Sequence, residues 1–287
     1  MLSPSHPPDK ERRPVDQPIT IAFLGDVNGV PGRNVLLQRM SDLRSDHDPD
    51  LVVANGENIR NGSGISPDLF NWLMSNGVDA VTLGDHVFRD QKILPHLEDP
   101  EAPISRPANL SSLASGKRMM KLPLPNGRNL WVFTLLGRIF MNLPANDPFA
   151  VADEMLDSIP EKNPLVLVEI HAEATSEKIA IGHHLDGRVA AVLGTHTHVP
   201  TADARILPGG TAFMTDVGMC GPYDSVIGRR KEAVLHHMRT NMHAAFDMAS
   251  GGESMCGCVV RIRPETGLGI SIERIQYDAD LSRSPFR

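Results

Sequence analysis

An α/β fold is predicted by three features of this chain. Short β-branched or aliphatic runs alternate with segments of helical periodicity from Ile19 onward, several of those runs end in polar residues, and no repeat or internal linker breaks the alternation. With 41% hydrophobic and 22% charged residues over 287 positions, the composition is that of a globular protein burying roughly three quarters of its unfolded surface. No disulfide is needed to fold it.

The elements follow in order. Residues 19–24 read as a strand that ends in Gly25-Asp26-Val27-Asn28-Gly29, and 33–43 as a helix with Val35, Leu36, Met40 and Leu43 at helical spacing. A second strand at 51–54 leads into Asn55-Gly56-Glu57-Asn58 and a glycine-rich stretch, after which Ser66-Pro67 has the cap chemistry that opens a helix. The third strand, 79–83, runs into Gly84-Asp85-His86, with a helix over 90–97 behind it. After a less regular middle with a strand at 130–136 and a helix at 148–158, strands at 165–170 and 189–193 deliver His171 and the segment Thr195-His196-Thr197-His198. The strand-rich C-terminal third, 211–215, 254–263 and 269–277, is predicted to form a second sheet packed on the first, with a helix at 231–240.

Charge and composition exclude several classes. Twenty-eight Lys and Arg against 35 Asp and Glu give a formal charge of -7, the wrong sign for a protein held to nucleic acid by phosphate neutralisation. Three cysteines are too few for a disulfide scaffold or a four-thiolate zinc site, which fits a reducing cytoplasm, the expected location. The apolar runs fall far short of the ~20 residues that span a bilayer. Residues 1–18, with five prolines, are expected to be a disordered tail before a domain over 19–278, with a short tail at 279–287.

Loops at the carboxyl ends of strands in an open α/β sheet converge on one rim, so the polar clusters should be neighbours. Collected, they are Asp26, Glu57, Asn58, Asp85, His86, His171, His196 and His198, a set of oxygen and imidazole donors suited to two first-row divalent ions. Paired ions clamp the attacking and leaving oxygens of a phosphoester, which points to hydrolysis. His196 and His198 are expected to project to one face of an extended segment, because residues i and i+2 do. His86 beside a ligand is placed to protonate a leaving alkoxide. Glu173 and Glu177 read as structural, and His183, His184, His236 and His237 as surface or cap residues.

Together, LGDVNGVPGR, VVANGENIRNGSGIS, VTLGDH, RPAN, EIHAEATSEK and the long stretch containing GTHTHVPTAD resemble the calcineurin-like metallophosphoesterases, specifically the YmdB-like bacterial 2′,3′-cyclic-nucleotide phosphodiesterases. The resemblance runs through almost the whole chain. It implies a four-layer α/β/β/α sandwich of two mixed sheets, with the site on the rim between them. It also implies that Asp26 and His198 serve one metal with Asn58 nearby, that Glu57 bridges, and that His171, His196 and Asp85 complete the second. His86 would stand beside the phosphate as proton donor to the leaving ribose oxygen, with a metal-bridging hydroxide as nucleophile. The metals in similar proteins are iron or manganese, the ligand is a small cyclic nucleotide or phosphate ester, and the assembly is a homo-oligomer, dimer or tetramer.

Two positions depart from expected patterns. Asn28 stands where many metallophosphoesterases carry histidine, a change YmdB-like proteins share. Asp85 stands where the family motif reads Gly-Asn-His, so a carboxylate replaces a neutral amide; it still binds a hard cation but repels a phosphate anion. A broader phosphomonoesterase or nucleotidase, or a catalytically weak nucleotide sensor, therefore stays open beside the cyclic-nucleotide phosphodiesterase.

Overall fold

The computed structural model describes residues 17–280; the predicted tails, apart from residues 17, 18, 279 and 280, lie outside the described residues. Two mixed sheets form its centre. In the first, of seven strands, β1 (Ile19–Leu24) pairs in parallel with β3 (Leu51–Asn55), and β3 with β4 (Ala80–Thr82). On its other side β1 pairs antiparallel with β12 (Glu253–Arg263), which also carries β13 (Leu268–Asp278) and, through β11 (Met219–Pro222), the two-residue β2 (Asp26–Val27). The six-stranded second sheet runs β5 (Met120–Pro123), β6 (Asn129–Leu136), β7 (Leu165–His171), β8 (Ala191–Thr195), β10 (Ala212–Met214), β9 (Arg205–Ile206). Its four central strands are parallel.

Alternation along the strands builds the layers. In β1, Ile19, Ile21 and Phe23 enter the core between the sheets with Leu130, Val132, Leu165 and Leu167 of the second. Its Ala22 and Leu24 face the other way, with Val35, Leu36 and Leu43 of α1 (Gly29–His47) and Phe70 and Leu73 of α2 (Pro67–Ser75). Likewise Val166, Val168 and Ile170 of β7 meet Val151 and Met155 of α4 (Pro148–Asp157) and Ile181 of α5 (Thr175–His184). The order is helix, sheet, sheet, helix, and each large apolar side chain so buried contributes about 1.5–3 kcal/mol. Near the rim, a 3-10 turn at Gln91–Ile93 and the short α3 (Leu94–Glu98) replace the continuous helix predicted over 90–97.

The predicted sheet membership needs correction. The C-terminal strands β12 and β13 belong to the first sheet, not to a second one, because β12 takes the free edge of β1. The second sheet comes from the middle of the chain, so the strands carrying His171 and His196 lie across the core from those carrying Asp26, Glu57 and Asp85. Helix α6 (Lys231–Thr240) matches its predicted bounds. Among the described residues no helix is long and apolar enough to cross a membrane.

Candidate metal centre

One face of β7 shows how the core becomes a site. Leu165 and Leu167 fill the space between the sheets, and the next two residues on that face are Glu169 and His171, both fully buried. The first sheet does the same: Val53 of β3 lies in that core, Asn55 follows on the same face, and Glu57 stands just past the strand. Both sheets thus turn polar at their carboxyl edges, where the loops meet.

Four of the expected residues form a tight group. Ligand atoms of Glu57, Asp85, His171 and His196 all lie within 4.8 Å of one another. His171 Nε2 is 3.1 Å from Asp85 Oδ1 and 3.2 Å from Glu57 Oε1, and His196 Nδ1 is 3.1 Å from His171 Nε2. Gly84 leaves room for this: a Cβ there would fall 2.3 Å from both Glu57 Oε2 and His171 Nε2. Two carboxylates and two imidazoles are donors of the type that first-row divalent ions take.

Asp26, Asn58 and His198 make the adjoining group. His198 Nε2 is 3.6 Å from Asp26 Oδ1, and its Nδ1 hydrogen bonds to the Ile227 carbonyl at 3.0 Å, which directs Nε2 inward. Asn58 turns its amide nitrogen toward Asp26, Glu57 and His198, at 3.2, 3.3 and 3.3 Å. Its oxygen meets His86 Nδ1 at 2.8 Å. A half-turn of that amide is needed before Asn58 offers oxygen to a cation. His86 completes the cluster, its backbone N–H donating to Glu57 Oε2 and its Nε2 standing 3.8 Å from Asp85 Oδ2.

The Thr-His-Thr-His segment is not extended at its two histidines, although both reach the cluster. Strand β8 stops at Thr195, and His196 and His198 have left-handed backbones with φ of 90° and 63°. The extended geometry expected from spacing is corrected accordingly: His196 faces Asp85 and His171, while His198 faces Asp26. Thr197 between them is held from below. Its N–H and hydroxyl donate to Asp216 Oδ2, which also accepts from the fully buried Lys178 Nζ at 2.8 Å. This anchoring supports a backbone that histidine adopts only at a cost of about 1–3 kcal/mol.

The electrostatics call for positive charge. Burial alone would raise Asp26, but His198 beside it holds its carboxyl well below the usual range. Asp85 behaves alike, with burial overcome by hydrogen bonds from His171 and His196. Conversely, burial disfavours a charged His171, yet Glu57 and Asp85 hold its pKa well above the ordinary histidine value, and Asp26 raises His198. A divalent ion bound at these carboxylates would supply the positive charge that they draw from the neighbouring imidazoles.

Several supporting residues escaped the sequence reading. Glu169, Thr195, Lys178 and Asp216 brace the ligands, and a buried charge inside the aliphatic run 165–170 was the signal for the first of them. Glu173, expected to be structural, has its Oε2 3.3 Å from His196 Nε2. Glu177 is structural as expected, accepting the backbone N–H of Arg138 and Ile139. His184 contacts Asp153, and His236 and His237 lie on the surface away from the cluster.

Comparison with known proteins shows the family and the fold. The model of the family described as YmdB-like protein matches residues 22–275. The chain is 40% identical over 260 residues to the Bacillus subtilis (strain 168) 2′,3′-cyclic-nucleotide 2′-phosphodiesterase, covering 91% of this chain and 97% of that protein. The crystal structure of a novel phosphatase from Mycoplasma pneumoniae superposes with a TM-score of 0.86 at 33% identity, covering 92% of this chain and 95% of the other. A hypothetical protein from Thermus thermophilus superposes with a TM-score of 0.84 at 39% identity, covering 91% of this chain and 100% of the other.

Proposed function

This chain belongs to the YmdB-like protein family, and on that premise we propose that residues 19–278 form one metallophosphoesterase domain hydrolysing 2′,3′-cyclic nucleotides with two divalent ions, iron or manganese. The observation that carries the reading is the close grouping of Glu57, Asp85, His171 and His196. They would hold one ion, and Asp26, Asn58 and His198 a second, with Glu57 between the two. Bound ions of this kind supply Lewis acidity toward phosphate oxygens and an activated water.

The chain's own groups then manage substrate and proton. Once Asn58 turns its oxygen toward an ion, its amide N–H would donate to Nδ1 of His86, so that Nε2 holds the imidazole proton at the edge of the cluster. When the phosphorus–oxygen bond to ribose breaks, that proton passes to the departing oxygen, which leaves as a hydroxyl. The phosphate keeps the oxygen of the attacking water. A small cyclic nucleotide is the substrate, and the protein acts as a homo-oligomer in the cytoplasm.

Metal analysis of the purified protein, coupled to hydrolysis of 2′,3′-cyclic AMP, tests this. Two ions per chain and release of a nucleoside monophosphate are expected; metal-free protein with full turnover would overturn it. Asp85 favours a second reading, a metal-loaded nucleotide sensor, because the extra carboxylate repels phosphate. Tight binding of the nucleotide without product identifies that case.

A further inference from the structure

Glu169 lies beneath the candidate centre with none of its side chain exposed, inside a layer otherwise filled by Leu165, Leu167 and Leu193. A buried carboxylate is retained only where donors compensate its desolvation. Three do, each from a different strand. Asn55 Nδ2 of β3 donates to Oε1 at 2.7 Å, Thr195 Oγ1 of β8 donates to the same oxygen at 2.6 Å, and Thr134 Oγ1 of β6 donates to Oε2 at 2.8 Å.

Two of these donors lead directly to ligands. Asn55 Oδ1 accepts the backbone N–H of Glu57 at 3.0 Å, and Thr195 Oγ1 stands 2.9 Å from His171 Nδ1. A hydroxyl has one proton. Since Thr195 gives its proton to Glu169, it can only accept from His171, so Nδ1 must carry hydrogen and Nε2 must face Asp85 and Glu57.

We propose that Glu169 and Thr195 form a positioning relay that fixes the tautomer and ring orientation of His171, and that Glu169 through Asn55 holds Glu57, from the opposite sheet, in register with it. The proposal deepens the metal-dependent reading above and rests on it. Neither residue touches substrate. Outer partners of a ligating histidine change ion affinity by about ten- to hundredfold.

The test uses the full chain and the pair Thr195→Val, which keeps the shape and removes the hydroxyl, and Thr195→Ser, which restores it. Chelator-stripped protein is titrated with Mn²⁺, with thermal unfolding as a check on folding. Thr195→Val should bind the first Mn²⁺ about ten- to hundredfold more weakly, and Thr195→Ser should recover most of that loss. In parallel, nitrogen-15 NMR of histidine-labelled parent protein should show His171 protonated at Nδ1, with and without Mn²⁺. This second measurement holds even if Thr195→Val does not fold.

Parent-like Mn²⁺ affinity in Thr195→Val, equal weakening in both variants, or a His171 carrying its single proton at Nε2 in the Mn²⁺-loaded parent would each overturn the relay. Hydrolysis of 2′,3′-cyclic AMP by the parent is read separately. If that alone fails while the Mn²⁺ and NMR results hold, the substrate reading falls and the relay stands.

Discussion

Around Glu57, Asp85, His171 and His196 the ligand atoms already lie within 4.8 Å of one another, whereas beside Asp26 and His198 the third group, Asn58, presents an amide nitrogen. The first group has two carboxylates, and its His171 rests on a buried carboxylate through Thr195. The second has one carboxylate of its own and must turn an amide before all its donors face inward. Charge count and rigidity of the ligands set the affinity of an ion site. On the proposed two-ion reading, the first position would therefore hold its ion more tightly than the second.

The largest effect expected is that of His171→Ala. It removes the only fully buried imidazole of the first group, and with it several kcal/mol of charge stabilisation on the phosphate. Turnover should fall by roughly 10⁴-fold together with the loss of one ion per chain. Elemental analysis and an assay of 2′,3′-cyclic AMP hydrolysis check both; retention of two ions would erase the contrast between the positions. His86→Ala is the counterpart. It should keep both ions and lose about 10³-fold in turnover, as expected for removal of a general acid. An unchanged rate removes His86 from the proton-donor role.

Much of this arrangement was legible in the sequence, and the remainder had physical reasons not to be. The eight residues read from the sequence lie near one another because each follows an aliphatic run, and β1 and α6 carry their predicted bounds. The partner of β1 was not, since β12 arrives from the far end of the chain and nothing local encodes which edge it joins. His196 and His198 were placed on an extended segment because a left-handed backbone is unusual for histidine; what supports it, Asp216 with Lys178, lies elsewhere in sequence. Glu169 was legible in principle, as a charge within a buried strand.

Stepwise removal of metal separates the two positions at a smaller scale. Titration with a competing chelator should empty the position of Asp26, Asn58 and His198 first, at chelator concentrations about tenfold below those that empty the other. Asn58→Asp, which offers carboxylate oxygen in either orientation of the side chain, should narrow that gap. Loss of both ions in a single step from the parent protein would show that the two groups are not distinct in affinity.

The smallest effect, and the one whose sign matters most, is that of Asp85→Asn. Burial opposes a charge at Asp85, but hydrogen bonds from His171 and His196 keep its carboxyl well below the usual range. Two like charges about 5 Å apart repel by roughly 3 kcal/mol at an effective dielectric of about 20. The same charge also holds the ion, which offsets most of that penalty on a bound phosphate. The amide keeps an oxygen donor while removing the charge, so Mn²⁺ affinity should fall and turnover at saturating Mn²⁺ should rise about threefold. Initial rates at several Mn²⁺ concentrations separate the two effects. A lower rate at saturation would mean that the carboxylate contributes more by holding the ion than it costs by repelling phosphate, and the first position would then depend on its charge rather than on its geometry.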